Sequence, residues 1–367
     1  MRIIHILLSI ILISFTIDAT AQSASERLVR EGVSLHDKGD YEGAIKKYQQ
    51  VLKTTPNSMP ATYEMSLSYL RLKNYDEAIK YSSAVIDHNY QPLLTDAYIV
   101  KSSALAKGDN IDGAIELLEE ALIKCGESYL LHFNIGLCSF NNKNTEKALS
   151  HLERAIEIDA THAGSFLLYA YALNDANKWV QSFYAFHFFL LLEPNTPRSK
   201  DAFMEMYDLV SVKIPNDSPR LAEDDGINRR NLYETLLTLE PRSDNMTPQE
   251  QYEFFEKVSR AIFFTMSNMQ TNDQSGLLWT FFVPIYSEIL QADYLDVYSR
   301  YVSAAYFPES LEWWNNNKEE VDDFINWFEN GESGSTNSEE AQFEDEDGQF
   351  VDGPHDAEIE NAFEDIN

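Results

Sequence analysis

The sequence predicts an all-α protein: a solenoid of about five helix-turn-helix repeats, then a helical C-terminal domain, then a disordered acidic tail. Three observations predict it. Small residues recur every 34 positions in two series that keep step. Beyond residue 196 that period stops, but aromatic residues continue at helical spacings of three and four. After Gly331, Gly, Ser, Asn, Asp and Glu displace most apolar residues.

The N-terminal element is a short apolar run. Arg2 precedes Ile3–Ile17, which is broken only by His5, Ser9, Ser14 and Thr16 and closes on Ala19-Thr20-Ala21. A positive start, a short apolar stretch and a small-x-small exit describe a secretory signal peptide over residues 1–21. The run is shorter than the ~20 residues of a membrane-spanning helix, and no Cys follows it to carry a lipid. The expectation is export to the periplasm or the exterior, with no stable membrane insertion after cleavage.

Residues 25–196 hold the repeats. One series of small residues is Gly32, Ser66, Ser102, Gly136 and Ala170, spaced 34, 36, 34 and 34. The second is Ala44, Ala78, Ala114, Ala148 and Ser182, with the same steps and the same single two-residue excess. Small side chains at paired sites let two helices of a hairpin approach closely, whereas bulk there costs roughly 1–3 kcal/mol per site. Turns fall between the series at Lys38–Tyr41, Leu72–Tyr75, Gly108–Ile111, Asn142–Thr145 and Ala176–Trp179, where Gly and Asn suit a helix stop and Asp or Asn a helix start. Pro56 and Pro194 close the first and fifth units. Cys125 and Cys138 lie about two turns apart along the helix axis in this register, too far for a disulfide, so both are expected as buried thiols.

Gly39-Asp40-Tyr41-Glu42-Gly43-Ala44-Ile45, Asn74-Tyr75-Asp76-Glu77-Ala78-Ile79 and Asn144-Thr145-Glu146-Lys147-Ala148-Leu149 resemble the second helix of a tetratricopeptide repeat. The third unit departs from that pattern at Lys101, and Tyr90 and Gly126 stand where the second and third units would close on Pro. The resemblance implies a right-handed solenoid whose first helices line a concave groove for a peptide or helix of a partner protein. Carried across in register, the groove residues are Val29, Val33, Tyr63, Leu67, Leu70, Ile99, Phe133, Leu137, Phe140, Leu167 and Tyr171. An apolar groove of this kind either receives a polypeptide or is filled by the chain's own C-terminal half.

The C-terminal domain, 197–330, opens with Thr196-Pro197 as N-cap and first-turn proline, starting a helix to about residue 212. A loop is expected over 215–225 and helices near 227–239, 248–269, 277–291, 293–305 and 310–329. Thr247 and Glu250 form a capping-box pattern, and Pro284 should kink its helix or shorten its register. Adjacent pairs such as Trp313-Trp314 are not expected to point inward together. The tail, 331–367, carries thirteen carboxylates and no Lys or Arg between Glu332 and Asp365. It buries too little apolar area to order, but offers contacts to basic partners.

A net charge of −32 excludes a basic nucleic-acid-binding surface. No catalytic motif, phosphate loop or metal-ligand spacing appears, the weak calcium-loop likeness of Phe343–Gly348 lacking its first and last ligands. No cofactor or metal is therefore expected, and no catalytic residue is assigned. The leading functional expectation is an exported scaffold for polypeptides. Two rivals stay open: an envelope glycan- or nutrient-binding protein, and an enzyme with an unrecognised site in 197–330.

Overall fold

A computed structural model describes residues 24–211, 214–222, 226–239 and 246–330. The signal segment and the acidic tail, with the weak calcium-loop likeness inside it, lie outside those residues. The described chain is α-helical and contains no β-strand among its described residues. It divides into two compact units, the first ending at Lys143 and the second beginning at Asn144.

The first unit contains α1 (24–36), α2 (Tyr41–Thr54), α3 (Met59–Arg71), α4 (Tyr75–Asp87), α5 (Leu94–Lys107), α6 (Ile111–Cys125) and α7 (Tyr129–Asn141). Consecutive helices pack pairwise, α2 on α3, α3 on α4 and so on to α7. Every small residue of the two series in this unit is buried. At Gly32 the reason is explicit: a Cβ there would stand 2.3 Å from the ring of Tyr48, itself fully buried. The two-residue excess is absorbed between α4 and α5, where residues 88–93 replace the four-residue link 55–58 and Gln91–Leu93 form a 3₁₀ turn.

The hairpin turns share one hydrogen-bond scheme. In the α3–α4 turn Lys73 N donates to Leu70 O and Asn74 N to Tyr69 O; Gly39 and Asp40, Asp109 and Asn110, and Asn177 and Lys178 repeat it. The scheme needs one left-handed residue, and positive φ falls at Gly39, Lys73, Asp109, Lys143 and Asn177, a third series in step with the other two. The expectation of Gly or Asn at these stops fails at Lys73, Asp109 and Lys143: the closed turn imposes the conformation on whatever residue occupies the position, at roughly 1–2 kcal/mol for an ordinary L residue. Asp40, Asn74, Asn110 and Asn144 then cap the next helix through their side chains.

The second unit contains α8 (Thr145–Ile158), α9 (Ala163–Asp175), α10 (Trp179–Leu192), α11 (Pro197–Ser211), α12 (Arg229–Leu236), α13 (Pro248–Met269), α14 (Val283–Gln291), α15 (Leu295–Val302), α16 (Pro308–Asn316) and α17 (Lys318–Asn330). Ser182 Oγ donates to Ala170 O at 2.8 Å, so the two small-residue sites of the fifth repeat touch. Almost every side chain of α10 is buried, because α9, α11, α13, the segment before α14 and α15 surround it. That is why the units do not divide near residue 196: the last repeat and the aromatic half share one core.

Two local expectations are corrected, at residues 310–329 and at the adjacent aromatics, and the one at Pro284 takes a definite form. Residues 310–329 form two helices, since Asn317 leaves helical geometry and its side chain donates to Trp313 O; a run of three Asn favours such local side-chain bonding over helix. Pro284 is accommodated by a π-helical turn, Leu278–Phe282, in which Val283 N bonds Leu278 O and leaves room for a ring that would clash with the carbonyl four residues back. Phe254 and Phe255 are both buried although adjacent, because Tyr207 lies beside one and Phe203 beside the other. The capping box is present, Thr247 N donating to Glu250 Oε2 at 2.7 Å and Glu250 N to Thr247 Oγ1.

The α14–α15 link repeats the hairpin scheme: Asp293 has positive φ, its N donates to Leu290 O, and Tyr294 N donates to Ile289 O. Seven residues before and five after, where the five repeats carry small side chains, stand Tyr286 and Tyr298, their rings 5.7 Å apart. The turn is that of the repeats; the packing is not.

Candidate functional site

The eleven groove positions separate into two groups. In the first unit Tyr63, Leu67, Ile99, Phe133 and Leu137 are buried, while Val29, Val33, Leu70 and Phe140 are half-buried. Tyr63 and Leu67 pack among Met59, Val85, Leu93, Ala97 and Val100, with Leu70 against the same cluster. Ile99 lies in a second cluster with Leu94, Ala114, Leu118 and Ile135, and Val29 flanks a third built on Tyr48 and Met65. The buried five join neighbouring hairpins rather than line an open wall, because each first helix is flanked on both sides, whereas the half-buried four keep part of their surface free of these clusters.

In the second unit Leu167 is buried and Tyr171 half-buried. Tyr171 stands edge-on to Phe186, 5.2 Å between centroids, and burial with the nearby Glu205 and Asp201 pushes its hydroxyl up to about 12. Here the chain's own later half covers the last repeat. Phe281 and Phe282 pack on Phe166 and Phe188, and Arg229 donates to the carbonyl of Asn177 at the α9–α10 turn.

Beneath this cover lies a polar centre that sequence reasoning passed over. His187, one of several scattered histidines in the sequence, is wholly buried on α10. Its Nδ1 pairs with Tyr298 Oη at 2.6 Å and its Nε2 with Ser259 Oγ at 3.4 Å. Phe183, Phe255, Phe263 and Tyr286 surround the ring, and burial holds the imidazole well below its usual range, so it is neutral. A His–Tyr–Ser set buried to this degree offers a substrate no opening; it joins α10, α13 and α15. Its partners lie 72 and 111 residues away in the sequence, so no local signal marks it.

Asp96 is the second residue missed. It is half-buried on α5, three positions before Ile99, and burial raises its carboxyl to about 6. The register alone does not single it out, since the same position holds an acid, Glu26, in the first repeat and Pro60, Leu130 and Gly164 in others; the burial of Asp96, where Glu26 is exposed, is what sets it apart.

Cys138 is buried, its thiol pushed up to about 11, and Cys125 is half-buried; both are free. Among the described residues no group of three or more His, Cys, Asp or Glu is placed to hold a metal ion. No helix among them is long and apolar enough to cross a membrane.

Comparison with known proteins matches residues 35–98 and 101–163 to tetratricopeptide-repeat family models. BBSome complex member BBS4 of Bos taurus is 28% identical over 118 residues, which is 32% of this chain and 22% of that protein, so the chain spans about a fifth of that relative's length. Among solved structures, a thermophilic TPR protein of Thermus thermophilus aligns with a TM-score of 0.44 at 18% identity, covering 52% of this chain and all of the other. PilF of Pseudomonas aeruginosa aligns with a TM-score of 0.46 at 15% identity, covering 65% of this chain and 99% of the other.

Proposed function

From the tetratricopeptide repeats that residues 35–163 carry, we propose that this chain is an exported scaffold that holds a segment of another polypeptide. The observation that carries the reading is the repeat itself, with apolar side chains in register along its first helices. Val29, Val33, Leu70 and Phe140 are the groove positions that keep accessible surface in the first unit, and an amphipathic helix or extended apolar segment suits them. Asp96 adds a half-buried carboxyl in the same register, suited to a partner's basic side chain or terminal amine. Export rests on the N-terminal pattern from Arg2 to Ala21, and an exported chain meets its partner in the cell envelope or outside.

Affinity capture from an envelope extract tests the binding role when run against a Val33→Glu/Phe140→Glu variant. Both sites are half-buried, so the expected result is loss of the captured polypeptides with little change in melting temperature. Identical capture by both proteins would remove the groove from the account. Fractionation of cells expressing the full chain and a chain lacking residues 2–21 tests export: only the full chain should leave the cytoplasm.

A further inference from the structure

The C-terminal end of the second unit carries a surface that the repeats do not explain. Phe324 of α17 is fully buried, and half-buried aromatic rings radiate from it. Tyr301 lies 5.9 Å from it and Trp327 6.2 Å, between centroids. Tyr294 meets Trp327 at 4.8 Å, and Trp314 meets Tyr301 at 4.9 Å. Phe328, 6.2 Å from Phe324 between centroids, extends the strip and is also half-buried. All seven carboxylates of α16 and α17 are exposed, against one basic residue, Lys318. Burial raises the Tyr301 hydroxyl, and the nearby Glu329 carboxylate raises it further.

We propose that this acid-rimmed aromatic strip on α15–α17 is a docking surface for an arginine- or lysine-bearing polypeptide segment. Partly exposed indole and phenol faces attract a guanidinium or ammonium through their quadrupole, and the carboxylates around them supply the matching charge. The same unit already uses that chemistry internally. The Arg300 guanidinium lies 3.9 Å above the Tyr252 ring, and Asp296 accepts that tyrosine's hydroxyl proton at 3.1 Å. Charge selects the occupant among the alternatives. A second copy of a chain with net charge −32, its own acidic tail, a nucleic acid and an anionic membrane all meet repulsion at this rim. The surface is independent of the groove reading: either can fail alone.

Tryptophan fluorescence of the full chain reads this surface selectively. Of the five tryptophans, Trp179 and Trp279 are buried at 0% and 3% exposure, Trp314 and Trp327 belong to the strip, and Trp313 is the half-buried chain neighbour of Trp314 on α16. In the free protein caesium ion should quench more strongly than iodide, as an acidic rim requires. Titration with a ten-residue arginine peptide should then protect the tryptophans from acrylamide. A Glu312→Gln/Asp322→Asn/Asp323→Asn/Glu329→Gln variant alters only exposed side chains, so it keeps the fold; its affinity should fall about tenfold, the scale of four screened surface charges. A Trp327→Leu variant should weaken binding as well. Three results overturn the proposal. They are unchanged affinity in the charge variant, peptide binding without tryptophan protection, and protection by cellohexaose but not by the peptide.

Discussion

At the scale of single residues, His187 shows how burial turns an unremarkable side chain into a structural control. Its imidazole is neutral inside the second unit, held well below 6.5 by burial, whereas in the unfolded chain it takes a proton near 6.5. The unfolded state therefore binds more protons as pH falls. Stability from this group is complete above 6.5 and is lost on acidification below it. Between pH 7.5 and 5.5 the loss should approach about 1.4 kcal/mol. Urea midpoints at the two pH values for the natural chain and a His187→Gln variant isolate the effect, since other acids titrate alike in both. Equal pH dependence in the two proteins would show that His187 is not the buried neutral base described here.

Elements depend on local chemistry that the sequence displays openly. Asp40, Asn74, Asn110 and Asn144 each cap the second helix of a hairpin, and each stands one residue after the left-handed position of its turn. The longest helix among the described residues, α13, is started by the reciprocal pair of Thr247 and Glu250. Thr247→Ala leaves the Glu250 backbone donor without its partner and should cost about 1 kcal/mol, read as a lower urea midpoint for the second unit. A change below a few tenths would mean that tertiary packing alone holds that terminus. Other element boundaries were hidden. The break at Asn317 follows from side-chain bonding in a run of three Asn, and the π turn from the ring of Pro284; hydrophobic periodicity reads through both as continuous helix.

For the molecule as a whole, the decisive fact is the second unit's shared core. Phe166, Phe183, Tyr184 and Phe188 of the last repeat contact Phe263, Phe281, Phe282 and Tyr286 of the later helices. Deleting residues 215–367 uncovers α10 on the side where those rings sit. The truncated chain should aggregate, seen as high-mass species in size exclusion with light scattering. A monodisperse stump would mean that the repeats stand without this cover.

By itself the sequence determined the helical class, the repeat period, the place of the two-residue insertion and the residues that let paired helices touch. Those properties are local: a hairpin needs small side chains and turn formers at fixed offsets, and offsets are visible in one dimension. Only the tertiary structure decided that Tyr63, Ile99 and Phe133 are packed away, that Tyr286 and Tyr298 take the places of small residues in a further hairpin, and that His187 joins Ser259 and Tyr298. Burial and long-range pairing are set by which faces meet across many residues of intervening chain, and spacing along that chain does not encode them.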